Sequence, residues 1–137
     1  MNYLLDVNAL VAWGWSDHAD HQRVATWIQD TKSRRGVKFF TSSIPQLGFV
    51  RVSVQRSNGM VTPQLAGSVL QGMLEALGTR HQFLADDVPA TTLPDWCQKA
   101  SSTTDAHLLD LATAHQALLA TLDTGIPGAY LIPLPTP

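Results

Sequence analysis

The chain has 137 residues, 45% of them hydrophobic and 15% charged, with a formal net charge of −2. That balance describes one ordinary domain, residues 1–137, with a real core; it excludes a disordered partner and a protein-wide basic field for nucleic acid, so a polyanion substrate needs a local patch or bound cations. A single cysteine, Cys97, excludes an internal disulfide framework and a cysteine-based zinc site. Tyr3 to Leu5 is too short, and too free of basic flanks, for a signal peptide, and no apolar run approaches the ~20 residues of a membrane span. A soluble, cytoplasmic protein is expected.

Tyr3-Leu4-Leu5 is a short apolar run that stops at a carboxylate, Asp6, before a helix-like segment from Ala9 to Trp13. The run reads as a buried strand, and Asn8 as a natural helix N-cap. After a connection over residues 14–20, Ser16 or Asp17 caps a second helix whose buried stripe is Val24, Trp27 and Ile28. Lys32, Arg34 and Arg35 crowd its end, where cations suit the dipole, and Gly36 follows as C-cap. Val37 to Thr41 has β character. Ser42 and Ser43 cap a third helix that tolerates Pro45 in its first turn and carries Leu47, Val50 and Val54 on one face, beside Phe49. Asn58-Gly59 marks a turn. Thr62-Pro63 opens a fourth helix with Leu65, Val69, Met73, Leu74 and Leu77 as its stripe, ended by Gly78.

Gln82 to Leu84 is a further strand candidate, followed by Asp86-Asp87, and Leu93 to Trp96 suggests one helical turn. Thr103-Thr104 begins a helix with Ala106, Leu108, Leu109, Leu111, Ala112 and Ala114 at core positions. Ala117 to Leu122 is another buried strand, closed by Asp123, and Tyr130 to Ile132 is an edge strand before a proline-rich tail. Strands alternating with helices imply right-handed crossovers and a mainly parallel sheet.

Three carboxylates stand at element ends. Asp6, at the carboxyl end of a central strand, lies where open α/β sheets bind ligands; it also suits a plain turn or helix cap. Asp123 follows a strand in the same way, or is a turn residue. Asp105 lies in a first helical turn, where the dipole alone favours an acid. Its helix directly precedes the strand ending at Asp123, so its N-terminus need not share that edge. If all three meet, they repel and raise one another's pKa. A hard divalent cation resolves that conflict, taking carboxylates, water and substrate phosphate as ligands. Such an ion activates water and stabilises charge at phosphorus.

The segments Leu4-Leu5-Asp6-Val7-Asn8-Ala9-Leu10, Thr104-Asp105-Ala106-His107-Leu108-Leu109-Asp110-Leu111-Ala112 and Leu119-Ala120-Thr121-Leu122-Asp123 resemble the three acidic motifs of PIN-domain ribonucleases. Within that group the likeness is to the VapC toxins of bacterial toxin–antitoxin pairs, and length and element order match across essentially the whole chain. The resemblance implies a PIN-like three-layer α/β/α domain around a mainly parallel sheet. It also implies a Mg²⁺-dependent endoribonuclease (Mn²⁺ substituting) that cuts RNA, a cognate antitoxin and a homodimer. Asp6, Asp105 and Asp123 are then the catalytic, metal-holding residues. One departure concerns the Glu that the family usually carries early in the third helix, which here is Gln46. An amide can accept, donate or ligate through its carbonyl but lacks the charge, so cations are held less tightly. Some branches of the family show the same Gln before Gly-Phe-Val-Arg. Asp86 or Asp87 is a replacement in principle, although a solvated loop suits them better.

Asn8 and Thr121, with Gln46, are supporting candidates that orient the carboxylates, and Arg51 is a candidate for RNA phosphate contact beside the plainer reading of an exposed helix residue. Lys32, Arg34, Arg35 and Lys38 form the dense basic cluster, which either steers RNA or is a solvated helix end. His18 and His21, at i, i+3, are the nearest approach to metal-ligand spacing among the histidines. The four tryptophans, Trp13, Trp15, Trp27 and Trp96, suit core or interface positions. An aspartyl-phosphate phosphatase needs a second acid where Asn8 stands, and a dinucleotide-binding domain needs a Gly-rich loop after the first strand. The remaining alternative is a catalytically weak PIN-fold module that only pairs with antitoxin or RNA; Gln46 favours it and the three aspartates oppose it.

Overall fold

The computed structural model describes residues 1–136. Strand β1 (Asn2–Leu5) leads into helix α1 (Val7–Gly14) and helix α2 (His21–Lys32). Strand β2 (Lys38–Ser42) is followed by α3 (Ser43–Arg56), α4 (Pro63–Leu77) and strand β3 (His81–Leu84). A long connection with one 3₁₀ turn at Ala100–Ser102 reaches α5 (Thr103–Ala114), then β4 (Leu118–Thr121) and β5 (Tyr130–Leu131). No helix among the described residues is long and apolar enough to cross a membrane.

The strands form one five-stranded sheet in the order β3-β2-β1-β4-β5, and every pairing is parallel. Successive strand residues alternate between faces, which explains two separate cores. Tyr3, Leu5, Phe39 and Ala120 join Leu10, Trp27, Phe49, Leu70 and Leu74 from α1–α4 on one side. Leu4, Phe40 and Leu119 join Leu108, Leu111 and Ala112 from α5 on the other. The result is the α/β/α arrangement of three layers. Right-handed crossovers account for the split: the chain steps outward from β1 through β2 to β3, then returns past β1 to β4, so α5 falls on the opposite face. The direction of winding therefore reverses between β1 and β4. In open parallel sheets the crevice forms at such a reversal, outside the carboxyl ends of the strands.

Several elements differ from expectation in ways that matter locally. The N-cap of α1 is Asp6 and not Asn8: the Asp6 carboxylate accepts from the Val7 amide at 2.8 Å, and Asn8 lies inside the first turn. Helix α2 begins at His21, later than a cap at Ser16 or Asp17. On α3 the inward positions are Pro45, Gly48, Phe49 and Ser53, while Leu47 is 65% exposed. On α4 Thr62 caps the Leu65 amide as expected, but Ala66, Leu70, Leu74 and Leu77 are buried and Leu65 and Val69 are exposed. Both helices carry apolar residues on two faces, so periodicity alone admits either stripe. The choice is made by close approach: Gly48 lies where an added Cβ would sit 2.6 Å from Val7 Cγ2, which locks α3 onto α1 by that face.

Candidate active site

Asp6 leaves the carboxyl end of β1 and is buried with only 4% of its surface exposed. Its two oxygens are held separately: Oδ1 accepts from the Val7 amide, and Oδ2 from the Thr121 hydroxyl at 2.8 Å. Thr121, fully buried at the end of the neighbouring β4, is the hub of a small network. Its oxygen accepts from the Asn8 amide nitrogen at 3.2 Å and from the Asp123 backbone N–H at 3.0 Å. The Asn8 carbonyl in turn accepts from the Leu122 backbone at 3.0 Å, which fixes which end of the Asn8 amide faces Thr121. Thus α1 and the end of β4 are sewn together directly beneath the aspartates.

Asp123 lies at the surface just beyond β4, and its Oδ1 accepts from the Gly125 amide at 2.7 Å. Asp105 reaches the same edge because α5 runs antiparallel to the strand that follows it. The tight turn after Ala114, closed by a bond from the Ala117 amide to the Ala112 carbonyl, puts the helix C-terminus at the start of β4. Its N-terminus therefore lies at the strand's finish, beside Asp6 and Asp123. Electrostatics report that proximity. Asp105 is pushed up to about 6, by burial first and then by the charges of Asp6 and Asp123. Asp6 is also raised, chiefly by burial; its hydrogen bonds from Thr121 and Val7 oppose the shift and the Asp123 charge adds to it.

Asp6 and Asp105 line one groove of about 430 Å³ with Asn8, Arg51, Arg56 and His18. Arg51, exposed on α3, lines that groove. Gln46 stands apart. Its amide donates to Thr41 Oγ1 at 3.0 Å, which also bonds His81 Nε2 at 2.7 Å. It lines a different groove, between α3, α4 and β3, with Leu47, Leu74 and Phe83. The reason is helical phase: with Gly48 packed on Val7, a residue two positions earlier is turned about 200° around the helix. Asp86 is engaged elsewhere, in a 2.6 Å contact with His107 Nε2. The basic cluster from Lys32 to Lys38 lies at the amino edge of the sheet, where the Lys38 amide bonds the Met1 carbonyl and Arg80 bonds the Arg34 and Val37 carbonyls. His21 bonds the Ala12 carbonyl within the helical layer at 2.9 Å. The i, i+3 spacing singles out His18 together with His21, and only His18 lines the groove of Asp6 and Asp105; Arg56 carries no sequence signal beyond its charge.

The oxygen-rich donor set suits a hard divalent cation. No side-chain cation pairs with Asp6, Asp105 or Asp123 among the described residues, and their mutual repulsion is what a bound cation would relieve. Among those residues no three His, Cys, Asp or Glu side chains stand close enough to enclose a metal ion on their own.

Along its length this chain is similar to Ribonuclease VapC39 of Mycobacterium tuberculosis, with 35% identity covering 92% of this chain and 91% of the relative. It is 37% identical to Ribonuclease VapC38 of the same organism, covering 90% of this chain and 86% of that one. The chain belongs to the VapC ribonuclease family. Ribonuclease VapC44 of M. tuberculosis is likewise 35% identical over 94% of both chains. Among solved structures, that of VapBC2 from Rickettsia felis bound to a DNA fragment from their promoter superposes with a TM-score of 0.60 over 96% of this chain and 97% of that one, at 17% identity. That likeness extends the family's three-layer fold to this VapC chain. No protein-family model matches the sequence.

Proposed function

We propose that this VapC chain is a divalent-metal-dependent endoribonuclease, the toxin of a toxin–antitoxin pair, with Asp6, Asp105 and Asp123 as its catalytic carboxylates. The observation that carries the reading is geometric: Asp6 and Asp105 line one groove, and Asp123 is joined to Asp6 through Thr121, at the sheet's reversal point. The names of its relatives as ribonucleases supply the substrate class.

When bound, Mg²⁺ or Mn²⁺ supplies activation of water and stabilisation of the charge that builds at phosphorus. The chain's own residues position the reaction. Asp6 is the fixed member, each oxygen pinned by one hydrogen bond and each retaining acceptor capacity. Thr121 and Asn8 hold that geometry, and through the Asp123 and Leu122 amides they tie it to the β4 end. Asp105 and Asp123 add negative charge from the α5 and β4 sides. Water attacks phosphorus in line and the ester oxygen opposite leaves. Gln46, bonded to Thr41, supports the wall between α3 and β3. Partnership with a cognate antitoxin and assembly as a homodimer belong to the same proposal.

The test is cleavage of total cellular RNA by purified, antitoxin-free protein with Mg²⁺, with Mn²⁺ and with chelator, beside Asp6→Asn. Discrete fragments that need both the cation and Asp6 support the reading. Cleavage by a folded Asp6→Asn protein, or cleavage undiminished in chelator, overturns it.

A further inference from the structure

The groove that contains Asp6 and Asp105 also contains three positively charged or proton-donating side chains: Arg51 and Arg56 from α3, and His18 from the connection between α1 and α2. None of them pairs with the aspartates. Two are held in place by other means. The Arg56 guanidinium bonds Asp17 at 3.1 Å and lies 4.9 Å from the centre of the Trp15 ring, whose indole N–H donates to Ser53 at 3.0 Å. One nitrogen of the planar fork is thereby used and the remaining donors stay available. His18 Nδ1 accepts the Asp20 backbone N–H at 3.0 Å. An accepting Nδ1 puts the proton of the neutral ring on Nε2, leaving that atom as a donor. Arg51 is exposed and makes no side-chain hydrogen bond or ion pair among the described residues.

A nucleic-acid backbone approaching the aspartates of a chain with net charge −2 meets repulsion, and cationic contacts must offset it. The dense cluster from Lys32 to Lys38 lies at the wrong edge of the sheet, a strand length of about 13 Å or more away. Resting on the ribonuclease reading above, we propose that Arg51, Arg56 and His18 form the phosphate-binding wall of the substrate groove, holding the backbone of an RNA strand on the α3 side of the aspartates. Such contacts fix where the strand lies and do not read bases. Choice of cleavage site then comes from other surfaces.

The experiment measures binding of a short fluorescein-labelled single-stranded RNA to the Asp6→Asn protein in chelator, by fluorescence anisotropy across a salt series. Each phosphate contact on a single strand contributes about 0.7 to the slope of log affinity against log salt. Arg51→Gln with Arg56→Gln is expected to lower the slope by about 1.4 and to weaken binding roughly tenfold or more at low salt. The Lys pair at the same positions retains the slope, which separates charge from folding. His18→Gln weakens binding severalfold with little change in slope. Arg35→Gln, at the opposite edge, leaves both unchanged. An unchanged slope in the Gln pair, or an equal loss from Arg35→Gln, overturns the wall. If the unmodified protein cleaves RNA with Mg²⁺ while the Gln pair keeps its slope, the wall fails and the nuclease reading stands. If the Gln pair loses its slope but no cleavage occurs, the reverse holds.

Discussion

Replacing Asp105 with asparagine is expected to stabilise the metal-free protein at neutral pH while removing its cleavage activity. An acid whose pKa rises on folding binds its proton more tightly in the native state, so its ionisation opposes the fold. For Asp105 the rise is from 3.8 to about 6. The penalty is therefore full above about 6, and it fades as the pH falls towards 3.8, below which the carboxyl is protonated in both states. At 1.36 kcal/mol per pK unit the unscreened penalty is about 3 kcal/mol. Asp105 is only partly covered, and solvent screening reduces this to about 1 kcal/mol, or roughly 4 °C in midpoint for a chain of this size. Thermal melts in chelator at about pH 7.5 and about pH 5 read the effect. The unmodified protein gains stability on acidification through this window; the variant starts higher and gains less. A variant that melts at or below the unmodified protein at the higher pH, or that shows the same pH dependence, refutes the picture of an acid raised by burial and by its two acidic neighbours. Adding Mg²⁺ should stabilise the unmodified protein more than the variant, since only the former carries the full charge.

The network under the aspartates gives two more predictions. Thr121→Val keeps shape but removes the hydroxyl that serves Asp6, Asn8 and the Asp123 amide. Leaving such groups unpartnered costs about 3 kcal/mol, measurable by urea unfolding, and cleavage should fall as Asp6 loses its orientation; a loss below about 0.5 kcal/mol would show that the hub is not structural. Gly48→Ala brings a Cβ to 2.6 Å from Val7 Cγ2, and a β-branched side chain in a helix has little freedom to move aside. A net destabilisation of about 1–3 kcal/mol follows despite alanine's better helix propensity. Because Val7 lies between Asp6 and Asn8, cleavage should drop as well, and an unaffected variant would separate the α1–α3 contact from the site.

Much of the layout is visible in the sequence because the elements that carry it have only one way to fold. Leu4 and Leu5 are apolar on successive, opposite-facing positions, which requires a strand covered on both faces, and such a strand lies inside a parallel sheet. An acid immediately after it must then emerge at the ligand edge. Thr62-Pro63 and Thr103-Thr104 mark helix starts within a residue of where they occur. Long-range facts are less legible. Val50 and Val54 look as suitable for the core as Phe49, and the close approaches of Gly48 to Val7 and of Phe49 to Gly14 fix how α3 is rotated, and with it the direction of Gln46. The role of Asn8 illustrates the same point. Its local preference is to cap a helix, but Asp6 takes that task and frees the Asn8 amide to bond residues more than a hundred positions away.

The three aspartates differ in how firmly they are held, and the gradient bears on how a cation would enter. Asp6 is buried and pinned at both oxygens, Asp105 is half-covered, and Asp123 is exposed with one oxygen engaged. On the ribonuclease reading, a cation entering from solvent would meet exposed Asp123 before buried Asp6. Hydrogen bonds from Thr121 and the Val7 amide already restrict Asp6, so a cation held there would cost little further side-chain entropy. Asp105 and Asp123 would add negative charge to such a site from the α5 and β4 sides. Asp123→Asn should therefore weaken Mg²⁺ affinity less than Asp6→Asn, by isothermal titration, and the opposite ranking would place the fixed end of the site at β4.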